Sequence, residues 1–168
     1  MNEIENEFYH ITFEKNNALT VKDKKSGKVY QNQMIFEENG DDGDSYNYSP
    51  PRNDMVIRST DLEYAKSENI KVYKSDVENV LKFQLNMKVP KDLESRSKGI
   101  NTEDFILNIE VSLRKSEELI RFNVKADNQV LSHRLCVCFD TEIASKFSTA
   151  DQMFGIVRRP VYLPEMKV

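Results

Sequence analysis

Between Val80 and Val89 the chain alternates without a break: Leu81, Phe83, Leu85, Met87 and Val89 fall on one side of an extended backbone, and Lys82, Gln84, Asn86 and Lys88 on the other. Successive side chains of a strand point to opposite faces, so this is the pattern of a half-buried strand and not of a helix. The pattern recurs at Phe105, Leu107, Ile109, Val111 and Leu113, broken only by Ile106. After the polar turn Lys115-Ser116-Glu117-Glu118 it restarts with Ile120, Phe122, Val124 and Ala126, as expected for an antiparallel hairpin partner. Strands this long exceed the usual five or six residues, which predicts a large, twisted sheet with one wet face.

Arg134 to Phe139 carries no polar face, which predicts a strand covered on both sides, central or under a second layer. Shorter strands are expected at Phe8 to Glu14, Leu19 to Asp23, Val29 to Phe36, Ile70 to Tyr73 and Phe154 to Val157, with a Ser26-Gly27 turn joining the second and third. No convincing 3.6-residue period exists; the best helical candidate is a short turn between Asp140 and Ala150. Two polar segments resist strand assignment. Glu37 to Asp54 keeps aromatic and proline anchors and is expected to be ordered, whereas Pro90 to Thr102 lacks them and reads as a mobile hairpin tip. The fold class is therefore all-β, a large antiparallel β-sandwich.

Composition narrows the function. A chain of 168 residues, 39% hydrophobic, fits one domain with one core. With 24 basic against 28 acidic residues, a net charge of −4 offers no field for nucleic acid. No apolar run approaches the ~18 residues of a membrane span, and the MNEIENEF start is acidic where a signal peptide is basic. Two cysteines, Cys136 and Cys138, too close for an easy disulfide, suit a reducing, cytoplasmic setting and read as small buried hydrophobes. With His10 and His133 as the only histidines, a His/Cys zinc site would use nearly all the available ligands, so no metal site is expected in this chain.

The least bland stretch runs from Glu37 to Pro51. Its acidic half, Asp41-Asp42-Gly43-Asp44, invites calcium, but neither a glycine at the sixth nor a glutamate at the twelfth position follows from Asp41 or Asp42. Its aromatic half, Tyr46-Asn47-Tyr48, suits carbohydrate: a ring to stack on the C–H face of a sugar, with hydroxyl and amide groups for its hydroxyls. Two tyrosines before a diproline also serve simply to pin a loop to a sheet.

Three stretches carry a resemblance. Asn6-Glu7-Phe8-Tyr9, Leu19 to Gly27, and Gly40 to Pro51 resemble the opening of the β-sandwich region of family 38 glycoside hydrolases, the α-mannosidases, whose bacterial branch includes mannosylglycerate hydrolases. Ser132-His133-Arg134-Leu135, Phe139, Ala150-Asp151 and Arg159-Pro160 follow in the order of that family's later landmark. The resemblance implies a galactose-mutarotase-like supersandwich spanning residues 1–168, one domain of a larger α-mannosidase whose N-terminal catalytic domain lies outside the chain. That domain would hold the zinc ion and the aspartate nucleophile of a retaining double displacement. No catalytic residue is then expected here. The sandwich would buttress the catalytic domain of the same polypeptide and lend Tyr46 to the mannoside site, with Asn47 and Tyr48 as weaker claimants.

Ser45 departs from an acidic residue of many bacterial relatives, and the ending at Glu165 to Val168 stops where the family continues into further strands. His133 reads as a structural histidine at the head of a strand, and His10 as a surface or interdomain residue. Two other readings stay open: a self-sufficient carbohydrate-binding module, and a mutarotase-like epimerase using His133 with Glu110. A domain that normally packs on another is also expected to expose an apolar patch and to associate with itself when free.

Overall fold

The computed structural model describes residues 2–44 and 46–161, so Ser45 and the terminal segment from 162 onward, Glu165 to Val168 included, lie outside the described residues. Strands β1 (Glu3–Glu5), β2 (Tyr9–Phe13), β3 (Leu19–Asp23) and β4 (Val29–Gln33) form an antiparallel meander in that order. The β3–β4 turn is the expected one: Asp23 accepts from the Lys25 amide at 2.8 Å and the Ser26 hydroxyl at 2.8 Å, and Gly27 supplies φ 74°. That backbone region is nearly free of cost for glycine.

The alternating segments build the second layer, an antiparallel sheet ordered β10 (Arg121–Ala126), β9 (Glu103–Arg114), β8 (Glu78–Val89) and β7 (Ala65–Lys74). Register between β8 and β9 runs unbroken from Glu78 opposite Arg114 to Val89 opposite Glu103. Their inner faces contribute Leu81, Phe83, Leu85, Met87, Phe105, Leu107, Ile109 and Val111 to a core shared with Ile4, Ile11, Phe13 and Leu19 of the meander. Phe13 and Phe83 meet across the layers with ring centroids 4.5 Å apart. Each such side chain contributes roughly 1.5–3 kcal/mol on burial, which is what holds the layers together. The outer face is a cross-strand polar ladder, with Lys82 to Glu110 at 2.6 Å and Asn86 to Asp104 at 2.7 Å. This is the all-β sandwich expected.

Four expectations need correction. Val29 to Phe36 is not one strand: Met34, buried at φ 58°, breaks it, and the chain leaves the meander to enter β5 (Ile35–Gly40) of another sheet. That sheet is ordered β11 (His133–Cys138), β5, β6 (Ile57–Arg58), so β11 is an edge strand and not a central one. Val137 is 41% exposed, and the apolar run reflects an open flank instead of two covered faces. The stretch from Asp140 to Ala150 holds no helix; it is irregular until the hairpin of β12 (Phe147–Gln152) and β13 (Gly155–Pro160) begins. The helix lies instead in Pro90 to Thr102, read as a mobile tip. There α1 (Leu93–Ser97) is capped by Asp92, whose carboxylate accepts from the Ser95 amide at 2.8 Å, and it drives Arg96 into the interior. A polar segment looked exposed because its one buried cation has partners distant in sequence.

Candidate functional site

Strand β5 leads directly into the loop of residues 41–54. Glu38 lies on the same face as Phe36 and is fully buried. Arg96 meets it there through a charge-assisted hydrogen bond, reaches Asp54 Oδ1 at 3.2 Å and donates to the Met55 carbonyl at 2.5 Å. His133 adds Nδ1 at 3.3 Å from Glu38 Oε1, while its Nε2 lies 3.0 Å from Asn128 Oδ1. The cluster ties together β5, β11, α1 and the far end of the loop. A buried pair of this kind is costly to desolvate but far costlier to halve.

The loop closes on itself as well. Gly40 donates its amide to Asp54 at 3.0 Å, and a Cβ there would lie 2.6 Å from Pro51 Cγ and 2.7 Å from Arg96 Cδ. At Gly43 a Cβ would stand 1.9 Å from the Asn47 carbonyl oxygen. Both glycines are required by close approach. Asp41 Oδ1 accepts the Gly43 amide at 2.9 Å and the Ser49 amide at 3.1 Å, and Asp44 Oδ1 accepts those of Tyr46 and Asn47 at 2.8 and 2.9 Å. The amides of Ser49 and Gly43 hold the Asp41 carboxyl below the usual carboxylate range. These acidic residues serve backbone amides, and among the described residues no three His, Cys, Asp or Glu side chains gather as metal ligands. The residues present do not fit a zinc site, and no step in this chain is routed through one.

The structure separates the two tyrosines. Tyr46 stands 92% exposed at the loop tip, whereas Tyr48 lies with its ring centroid 3.6 Å from the Arg134 guanidinium carbon and is pinned to the sheet. Arg134 is steadied by its Nε, which donates to Asn39 Oδ1 at 3.2 Å. Asn47 is exposed between them. His10 sits on the surface, 3.3 Å from Glu3. Cys136 and Cys138 are free and half-buried, and burial pushes the Cys138 thiol upward. His133 does not meet Glu110, which pairs with Lys82 on the outer face of the long sheet. The Glu38–Arg96–Asp54 cluster went unseen in the sequence; its one signal is an inward carboxylate two residues after Phe36, which demands a cation.

Beside the site, Ile120, Phe122, Phe139 and Ile143 line, with Tyr9 and Tyr30, an apolar cleft of about 410 Å³ at the edge where β10 faces the meander.

The chain matches the model described as glycosyl hydrolases family 38 C-terminal domain over residues 4–166. It is 26% identical, over 177 aligned positions, to a Halalkalibacterium halodurans protein named "Putative mannosylglycerate hydrolase", covering 95% of this chain and 19% of that protein. The crystal structure of an alpha-mannosidase from Enterococcus faecalis V583 superposes with a TM-score of 0.82 at 26% identity, covering 98% of this chain and 20% of that one. A second Enterococcus faecalis structure, a protein in the glycosyl hydrolase family 38, gives 0.80 at 28% identity over 95% of this chain and 21% of that one. The chain thus spans about a fifth of the length of these relatives.

Proposed function

This chain belongs to glycosyl hydrolase family 38, as its C-terminal domain, and from that premise we propose that it is the non-catalytic sandwich of an α-mannosidase, bracing a separate catalytic domain and completing the mannoside site with Tyr46. One observation carries the reading: Tyr46 is almost wholly exposed on a loop whose base and interior are fixed by hydrogen bonds. A tyrosine held out in this way offers a ring for the C–H face of a sugar and a hydroxyl that donates to or accepts from its hydroxyls. The apolar cleft beside β10 and the exposed Phe122 and Phe139 suit a surface that rests on another part of the polypeptide. A self-sufficient binding module is less well served, because Tyr48 gives one ring face to Arg134 and the two tyrosines form no twin platform.

The test is α-mannosidase activity of this chain and of the full-length protein carrying Tyr46→Phe or Tyr46→Ala, with circular dichroism as the folding control. The chain alone is expected to be inactive, and Tyr46→Ala to lower kcat/KM of the full-length protein about ten-fold or more, ~1.4 kcal/mol of transition-state stabilisation. Hydrolysis by the chain alone, or indifference to Tyr46→Ala, refutes the assignment.

A further inference from the structure

We propose that Arg134 is an anion-recognising residue of this rim, so that the mannoside taken here bears an acidic group; the inference rests on the mannoside reading above. Arg58, Arg96, Arg114 and Arg121 each pair with a carboxylate. Arg134 pairs with none among the described residues, although it is half-buried and held in place on two sides. Its Nε is occupied by Asn39 and its plane by Tyr48, which leaves the Nη edge of the guanidinium without a hydrogen-bond partner among the described residues. The neighbouring acid, Asp41, turns Oδ1 to the amides of Gly43 and Ser49 instead.

A planar fork with two nitrogens free is the geometry that grips a carboxylate or phosphate through two parallel N–H···O bonds, and the stacking removes most of the rotamer freedom that such a grip would otherwise cost. The setting requires a local cation of this sort. The chain carries a net charge of −4, and Asp41, Asp42 and Asp44 line the loop that holds Tyr46, so an acidic sugar would meet repulsion wherever Arg134 did not offset it. Arg134 also reaches this surface through Tyr48, two residues from Tyr46, so one loop carries both the sugar-facing ring and the ring on which the cation rests.

Two measurements test this. In the full-length protein, Arg134→Gln and Arg134→Lys are compared with wild type on a neutral aryl α-mannoside, on a mannoside with a carboxylate in its aglycone, and on a mannoside 6-phosphate. Arg134→Gln is expected to lower kcat/KM on one acidic substrate about ten-fold, mainly through KM, while the neutral substrate stays within about two-fold; which acidic substrate responds identifies the oxyanion. Arg134→Lys should recover only part of the loss, because an ammonium cannot form the fork. Equal losses on all three substrates would mean that Arg134 merely packs Tyr48, and no loss on either acidic substrate would overturn the inference outright. The second measurement is independent of hydrolysis: NMR titration of this chain with D-glycerate and with inorganic phosphate, following the Arg134 Nε–H and the Tyr48 ring. A response absent from Arg134→Gln supports the anion site even if the full-length protein cleaves no mannoside. Silence towards both anions rejects it.

Discussion

Replacing Arg96 by methionine keeps the length and much of the volume of the side chain but removes the only cation that meets both Glu38 and Asp54 among the described residues. Glu38 is fully buried and Asp54 is 17% exposed, so one carboxylate has no access to water and the other has little. Breaking a buried ion pair from one side typically costs about 3–5 kcal/mol, because the remaining charge keeps its desolvation penalty and loses its compensation. For a domain of this size 1 kcal/mol corresponds to about 2–4 °C in Tm, so Arg96→Met should melt roughly 6–20 °C below wild type. Thermal and urea unfolding followed by circular dichroism measure the loss. The double variant Glu38→Leu/Arg96→Met removes both charges and should recover most of it, with a coupling of at least about 1 kcal/mol. If Arg96→Met costs less than about 1 kcal/mol, or if the double variant falls by the sum of the two single variants, the cluster does not brace the loop as argued.

Gly40→Ala places a methyl group 2.6 Å from Pro51 and should destabilise by about 1–3 kcal/mol, read from the urea midpoint; an unchanged midpoint would show that Pro51 and Arg96 yield freely. The folded-state pKa of Asp41 is depressed by the amides of Ser49 and Gly43, so its stabilisation is complete above the ordinary carboxylate value and is lost as pH falls through the lower folded one. The Gly43 and Ser49 amide shifts should therefore hold steady through the ordinary carboxylate range and move only below it; a transition within that range would contradict the bonding described. Burial, reinforced by Glu37, raises the Cys138 thiol, so its alkylation at mildly alkaline pH should lag behind that of a free thiol such as glutathione. Labelling at the free-thiol rate would show that β11 opens.

The long strands were legible because β8 and β9 each keep one face in the core and one in water, and a period of two records that division directly. The break at Met34 was not legible, since alternation tells where side chains point and not which sheet receives the backbone. Edge position was equally hidden: Leu135, Val137 and Phe139 read as doubly buried, yet β11 borders only β5, and Phe139 instead packs against Phe122 with ring centroids 5.2 Å apart. Within the site, the turn-forming Gly and Asp residues announced an ordered loop, and the backbone amides they bind are local. Its anchor was illegible because Arg96 and Glu38 are joined only by the tertiary fold, and a charged residue on a polar helix carries no mark of burial.

The clamped base of the Tyr46 loop has a kinetic meaning. Both ends return to the same place, Gly40 through its amide to Asp54, and Asp54 to the guanidinium that also holds Glu38. Ordering each backbone residue costs roughly 1–2 kcal/mol, and here that cost falls on folding and not on the arrival of a sugar. A loop so tied has no hinge at either end. It forms a fixed wall, so any opening and closing that governs how fast a sugar enters or a product leaves has to come from the surfaces it faces.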